Sequence, residues 1–361
     1  MEEKGKKGRM DYTLLLIVVL LVVIGLVILY STSAYNGQVK FHDSFYYLKK
    51  QAFATVLGIV LMLFVAGMDY HIWQRLAVFG YLAAVALSVA VMLFGREING
   101  SKRWLALGPF SFQPSEFAKV ALILFLADLV TKNVKTIGKM WTLCRIMFWI
   151  LPIVGLVGAS NLSTAIIILG IGVILIFVAS PKYAQFALMG LAGACFMGIF
   201  LALESYRLER LAIWRNPEKY EKGYQTLQGL YAIGSGGVFG VGLGNSVQKL
   251  GFVPEAQNDM IFSIICEELG LAGAGIIVFL FLLLIWRFFM IASGSRDLFG
   301  ALIATGAMAH MMIQVILNIA VVTNTIPNTG ITLPFISYGG TSVMFLLIEM
   351  GLVLSVSQVV D

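Results

Sequence analysis

The chain has 361 residues, 59% hydrophobic and 12% charged, with a mean hydropathy of +0.90 and a formal net charge of +6. No soluble core needs that much apolar surface, so the composition excludes a soluble enzyme and indicates an all-α, polytopic membrane protein. Continuous apolar runs exclude a transmembrane barrel, and bases placed at span ends rather than in one patch give no sign of nucleic acid as a partner.

The runs predict ten spans, at 12–31, 51–68, 74–94, 114–131, 146–160, 163–180, 184–203, 260–287, 298–322 and 341–358. The first follows EEKGKKGRMDY and resembles a signal peptide, with small residues at Ser31–Ala34. Its apolar part, Tyr12 to Tyr30, is nearer the roughly 20 residues that cross hydrocarbon than the 7–15 of a signal segment, so it is read as an uncleaved span. Asn161 and Leu162 separate the fifth and sixth runs, which leaves two forms open: a tight helical hairpin or one long bent helix.

Parity decides on which side the loops fall, and the positive-inside rule tests it. With the N-terminus inside, cytoplasmic segments hold Lys4, Lys6, Lys7, Arg9, Arg75, Lys132, Lys135, Lys139, Arg145, Lys182, Arg287 and Arg296. Short outer loops hold half as many: Lys40, Lys49, Lys50, Arg96, Lys102 and Arg103. That bias predicts both termini cytoplasmic, and a large extracytoplasmic loop between spans seven and eight. No repeat divides the chain, which reads as one domain over 1–361. The cysteines (Cys144, Cys195, Cys266) and histidines (His42, His71, His310) form no pairing or metal pattern.

Three polar stretches on the predicted outer side carry chemistry, together with the last outer loop. In NGSKRWLALGPFSFQPSEFAK, Lys102, Arg103 and Trp104 suit the phosphate zone of lipid head groups. Pro114 starts a helix that takes Glu116 and Lys119 into the membrane three residues apart, either as a mutual ion pair or as the wall of a polar cavity. The long loop, 204–259, holds Arg207, Arg210 and Arg215 beside Leu208, Leu211 and Ala212, a pattern of an interfacial amphipathic helix. Gln225 and Gln228, three apart, suit one sugar or one backbone group. The glycines between 234 and 244 lack the strand and the Lys-Ser/Thr of a phosphate loop, so tight or re-entrant turns are expected there.

The third stretch, Pro254–Gly270, brings Asp259 to the start of an apolar helix. An N-cap is its plain structural role, and a general base with a tuned pKa is its functional one. Glu267 and Glu268 lie two turns deeper and point about 100° apart, so at most one is expected to face a given cavity. In TNTIPNTGITLPFISYGGTS, prolines and glycines predict a broken approach to the last span, with Ser337, Tyr338, Thr341 and Ser342 satisfying freed backbone groups. Glu349 in that span needs a partner, for which Lys119 is the candidate.

These segments resemble the SEDS family of cell-wall synthesis proteins, which includes FtsW, RodA and SpoVE. The matching segments are NGSKRWLALGPFSFQPSEFAK, GYQTLQGLYAIGSGGVFGVGLGNSVQKL, VPEAQNDMIFSIICEELG and ITLPFISYGGTS, in the family's order over nearly the whole chain. GNSVQKL followed by PEA is more similar to the division and sporulation branch. The resemblance implies polymerisation of lipid II at the outer face of the bacterial cytoplasmic membrane, with a class B penicillin-binding protein transpeptidase as partner. The family's required acid falls on Asp259; Met260 departs from the Phe usual after it, which touches packing and leaves the carboxylate in place. As general base, Asp259 would take the proton of the acceptor GlcNAc 4-hydroxyl as undecaprenyl pyrophosphate leaves with inversion. Lys102, Arg103, Arg210, Arg215 and Lys119 are the candidates to bind the pyrophosphate, and Ser337, Glu116, Gln225 and Gln228 complete the expected site. A divalent cation, Mg or Mn, is the one cofactor considered, although no carboxylate cluster defines a site for it. Two other functions stay open: a lipid II flippase, and a scaffold for the transpeptidase.

Overall fold

In a computed structural model, the structure describes residues 9–98, 101–107, 110–187, 190 and 211–359. Its helices are α1 (Tyr12–Phe41), α2 (Tyr46–Gly67), α3 (His71–Phe94), α4 (Pro114–Asn133), α5 (Met140–Ser160), α6 (Leu162–Ala179), α7 (Tyr224–Gly236), α8 (Ile261–Gly294), α9 (Leu298–Val322) and α10 (Gly340–Ser357). Among the described residues, 8 are long and apolar enough to cross a membrane: α1 to α3, α5, α6 and α8 to α10. At 20 residues α4 has the length, but Glu116, Lys119, Asp128 and Lys132 set its composition apart. The expected seventh span, 184–203, falls largely outside the described residues.

Helices satisfy every backbone group within the segment, which is why an apolar chain in lipid adopts them. Small residues then let them approach closely. On α10, a Cβ at Gly351 would lie 2.5 Å from the Met62 carbonyl oxygen of α2, so these two helices pack backbone to backbone.

Several boundaries differ from the sequence reading. α1 runs on to Phe41, past the predicted end at 31. Ser31 to Ser33 do not stop it, because the Thr32 hydroxyl bonds back to the Ile28 and Leu29 carbonyls at 3.0 and 3.1 Å. The stop comes at His42, whose left-handed backbone (φ 55°) lets its N–H cap Gln38 and Gly37. The fifth and sixth runs form a hairpin. Asn161 leaves α5 in an extended conformation and caps α6 through the Thr164 N–H, and Gly172 packs on Ile150 while Gly158 faces Ala165.

The all-α reading holds for the membrane part, with one addition. Strands β1 (Arg96–Ile98), β2 (Ser101–Leu107) and β3 (Phe110–Phe112) form a small antiparallel meander, with Arg96 opposite Trp104 and Leu105 opposite Phe112. Lys102 to Trp104 therefore sit on a strand, and Pro114 begins α4 at its first turn, as predicted.

α8 is broken at Gly270, whose φ of 67° and ψ of −170° suit glycine alone. The glycine-rich loop fills the break. Val241 and Gly242 N–H groups donate to the Glu267 and Glu268 carbonyls at 2.9 and 3.0 Å, while Leu271 and Ala272 donate to Gly237 and Val238 at 3.0 Å each. Backbone groups freed inside a spanning helix thus find partners in a re-entrant loop, as the sequence predicted. A Cβ on residue 270 would lie 2.4 Å from the Gly240 nitrogen. Gly270→Ala is expected to cost about 3 kcal/mol or more, read as a lower thermal midpoint in detergent. An unchanged midpoint would show that the break is not needed.

Candidate active site around Asp259

Asp259 lies two residues before α8, at the end of the VPEAQN segment that leads into that helix. The N-cap role expected of it is not realised, because Met260 holds the cap position and α8 has no side-chain cap. The main chain around it is fixed instead from three directions. The Gln257 carbonyl accepts from the Tyr338 N–H at 2.9 Å, the Asn258 carbonyl from Ser337 Oγ at 2.6 Å, and the Asp259 carbonyl from Asn318 Nδ2 at 2.9 Å. Asn36 of α1 adds a bond to the Gln257 side chain at 3.1 Å.

Asp259 as a residue is only 8% exposed. Gln225 Nε2 lies 3.5 Å from Oδ1, and Gln225 Oε1 accepts from Asn328 Nδ2 at 3.1 Å, so the side-chain amide is oriented toward the acid. Gly330 (φ +69°) approaches Oδ2, and a Cβ there would come within 3.8 Å. Burial pushes the Asp259 carboxyl up to about 7, and the negative Glu255 adds to the rise, while Gln225 opposes it. An acid that titrates near neutrality is suited to accept a proton at physiological pH.

The other expected site residues fall into separate groups. Gln225 and Ser337 join Asp259, Ser337 also accepting from the Leu333 N–H at 2.8 Å. Gln228 is half-buried on α7, close to one turn beyond Gln225. Lys102 is exposed on β2, while Arg103 Nε donates to the Ser160 carbonyl at 2.9 Å, beside the α5–α6 hairpin. Arg215 is exposed next to Trp214, whose indole N–H donates to the Asn324 carbonyl at 2.9 Å. Arg210 lies outside the described residues.

Glu116 and Lys119 pair at 3.1 Å, buried in α4. Lys119 reaches Gln314 Oε1 at 3.2 Å and does not serve Glu349, whose partner is His310 at 2.8 Å. The expected Lys119–Glu349 contact is corrected by α9, which lays His310 and Gln314 between them. A second correction concerns Glu267 and Glu268, which hold the same loop although they are neighbours. Glu267 accepts from Ser246 Oγ at 2.5 Å and from the Val247 N–H at 3.0 Å; Glu268 pairs with Lys249 at 2.5 Å and with Ser31 Oγ at 2.8 Å. The break at Gly270 brings this loop across the helix end, where both carboxylates reach it.

Sequence reasoning missed Asn318, Asn328 and Gln51. Gln51, buried in α2, accepts from the Gly339 N–H at 3.1 Å and thereby completes the broken approach to α10. One signal was present: His310, Gln314 and Asn318 recur every four residues in an otherwise apolar helix, a polar stripe that lipid would not tolerate facing outward. Among the described residues, no three His, Cys, Asp or Glu side chains gather as metal ligands.

Along α8, an apolar groove of about 370 Å³ runs past Phe262, Cys266, Leu271 and Val278, with Ile233 of α7 on its other side. Phe262, at one end of this groove, lies three residues after Asp259, and the lining is apolar enough to suit acyl or prenyl chains. Fold and composition together define a multi-pass membrane protein with a buried carboxyl just ahead of one of its spanning helices. The chain belongs to the FtsW/RodA/SpoVE family, described as cell cycle protein, which matches residues 12–361. It is 40% identical to stage V sporulation protein E of Bacillus subtilis, over 98% of each chain. It is 35% identical to a probable peptidoglycan glycosyltransferase FtsW of Trichlorobacter lovleyi, over 96% of this chain and 93% of that one. Among solved structures, a chain from "Structural coordination of polymerization and crosslinking by a peptidoglycan synthase complex" superposes with TM-score 0.83 at 30% identity, covering 96% of this chain and 97% of that chain. Thermus thermophilus RodA superposes with TM-score 0.72 at 28% identity, covering 96% of each.

Proposed function

We propose that this protein is a peptidoglycan glycosyltransferase that polymerises lipid II at the outer face of the cytoplasmic membrane, with both termini cytoplasmic. The observation that carries the reading is the buried Asp259 carboxyl, raised to about 7 and faced by Gln225 and by Gly330 of the last outer loop. Asp259 accepts the proton of the acceptor's GlcNAc 4-hydroxyl as that oxygen bonds to the anomeric carbon of the donor MurNAc. The bond from that carbon to the pyrophosphate oxygen breaks on the opposite face, so the centre inverts and undecaprenyl pyrophosphate departs. The prenyl chains lie in lipid and along grooves such as the one beside Phe262. Lys102, Arg103, Arg210 and Arg215 are the bases assigned to the pyrophosphate side; Lys119, already held by Glu116 and Gln314, acts within the buried polar cluster. A divalent cation, if one takes part, would be held chiefly by the substrate phosphates, whose charge it would offset, since no three His, Cys, Asp or Glu side chains gather among the described residues. Similarity to a chain of a peptidoglycan synthase complex supports a class B penicillin-binding protein as partner.

The test is polymerisation of lipid II by the purified protein with such a partner, followed on gels from pH 5 to 9. A general base must be ionised, so the rate is expected to climb about tenfold per pH unit below a midpoint near 7 and to level off above it. Head-group translocation in vesicles without polymer would replace the enzyme by a flippase, and neither activity would leave a scaffold.

A further inference from the structure

The polar stripe of α9 connects the middle of the bundle to the acid, and its hydrogen-bond directions can be worked out from the partners. Asn318 Nδ2 stands 2.9 Å from the Asp259 carbonyl oxygen and 2.7 Å from that of Ile331. Two carbonyls can only accept, so the amide nitrogen, with its two protons, must face them. One turn earlier, Gln314 Nε2 donates to the Thr332 carbonyl at 3.1 Å, which turns Gln314 Oε1 toward Lys119 Nζ and His310 Nε2 at 3.2 and 2.8 Å. That oxygen also only accepts, so His310 Nε2 carries a proton. His310 Nδ1 and Glu349 Oε2, 2.8 Å apart, then share one further proton, and their pair has no net charge. With Glu116 and Lys119 neutralising each other at 3.1 Å, the whole cluster is neutral. A neutral cluster is what the membrane interior tolerates.

We infer that Asn318 is a positioning residue for Asp259, held in register by Gln314 and by a His310–Glu349 pair that shares one proton. Asn318 ties the main chain of the acid to the 331–332 segment, and Gln314 grips the next carbonyl of that segment from the same face of α9. The last outer loop, which also brings Gly330 against the carboxylate and Asn328 against Gln225, is thereby locked to the acid. The placement of the carboxylate is set by α9, not by α8 alone. The inference rests on the general-base reading of Asp259, and its test includes a measurement that does not depend on that reading.

Asn318→Asp preserves shape and turns an acceptor toward two carbonyls. It is expected to lower the kcat of lipid II polymerisation about 100-fold, with KM for lipid II within about twofold. Glu349→Leu is expected to lower kcat about tenfold or more. Glu349→Gln, whose amide can donate to His310 Nδ1 without changing net charge, should restore it to within about threefold of wild type. Normal turnover in Asn318→Asp would overturn the positioning role, and Glu349→Gln as impaired as Glu349→Leu would overturn the shared proton. The independent measurement is the pH dependence of the thermal midpoint in detergent. Wild type should lose stability as pH rises through about 7, because the buried Asp259 carboxyl is then ionised without water around it. Asn318→Ala is expected to move that transition, and an unmoved transition would overturn the inference; a moved transition in a protein that makes no polymer would overturn the function reading alone.

Discussion

Asp259→Asn is expected to reduce polymerisation by about 10²–10⁴-fold, the usual contribution of a general base, while leaving the protein at least as stable as wild type. The second half follows from the same burial that tunes the acid. A carboxyl raised from 3.8 to about 7 is held less well when ionised than when neutral. Its contribution to stability is complete below the unfolded value near 3.8 and is lost as pH rises through about 7. The uncharged amide escapes that loss, worth about 4 kcal/mol at most at pH 8. The thermal midpoint of Asp259→Asn in detergent should therefore exceed that of wild type at pH 8, and the gap should narrow toward pH 4. An inactive variant that melts well below wild type at every pH would make the aspartate a structural residue. Full activity in it would remove the carboxylate from the chemistry.

Lys249→Ala should be the most damaging single change outside the site. Lys249 and Glu268 pair at 2.5 Å with side chains 7% and 2% exposed, and Lys249 also donates to Ser31 Oγ at 2.9 Å. Removing the lysine leaves a carboxylate buried with a hydroxyl as its chief partner, at a cost of about 3–5 kcal/mol. The loop that fills the Gly270 break would lose its anchor, so both a lower thermal midpoint and faster proteolysis within 237–249 are expected. Replacing both partners, as in Lys249→Met with Glu268→Leu, should recover much of the loss, since an apolar pair needs no compensation. A single variant as stable as wild type, with the loop still protected, would mean the pair contributes nothing.

How far the sequence could be read depends on whether a feature is local. Hydrophobic runs announce helices because each span satisfies its own backbone, so α2, α3, α9 and α10 lie close to where they were expected. Pro114 at the head of α4 and the re-entrant glycine loop are local signals of the same kind. Asp259 was legible through its segment, and Gln225 through its spacing on α7. The tertiary partners were not. Nothing in the neighbourhood of Glu349 points to His310, 39 positions away, and Asn318 contacts Asp259 across 59 positions. The short strands after α3 were missed for a different reason, since three residues of β1 and three of β3 are too few for an alternating pattern to register.

The break at Gly270 divides α8 into two parts joined by the glycine loop. Above it, residues 261–269 form a stub pinned by the glycine loop; below it, residues 271–294 form a long rod that faces lipid through Leu271, Ile276, Phe279, Leu282 and Trp286. A bilayer that thins or thickens makes such a rod tilt, at a cost of fractions of a kcal/mol per ångström. Because Leu271 and Ala272 at the head of the rod bond to the same loop that bonds Glu267 and Glu268, that loop splints the break from both sides, and a leaning rod strains the splint before it reaches the acid.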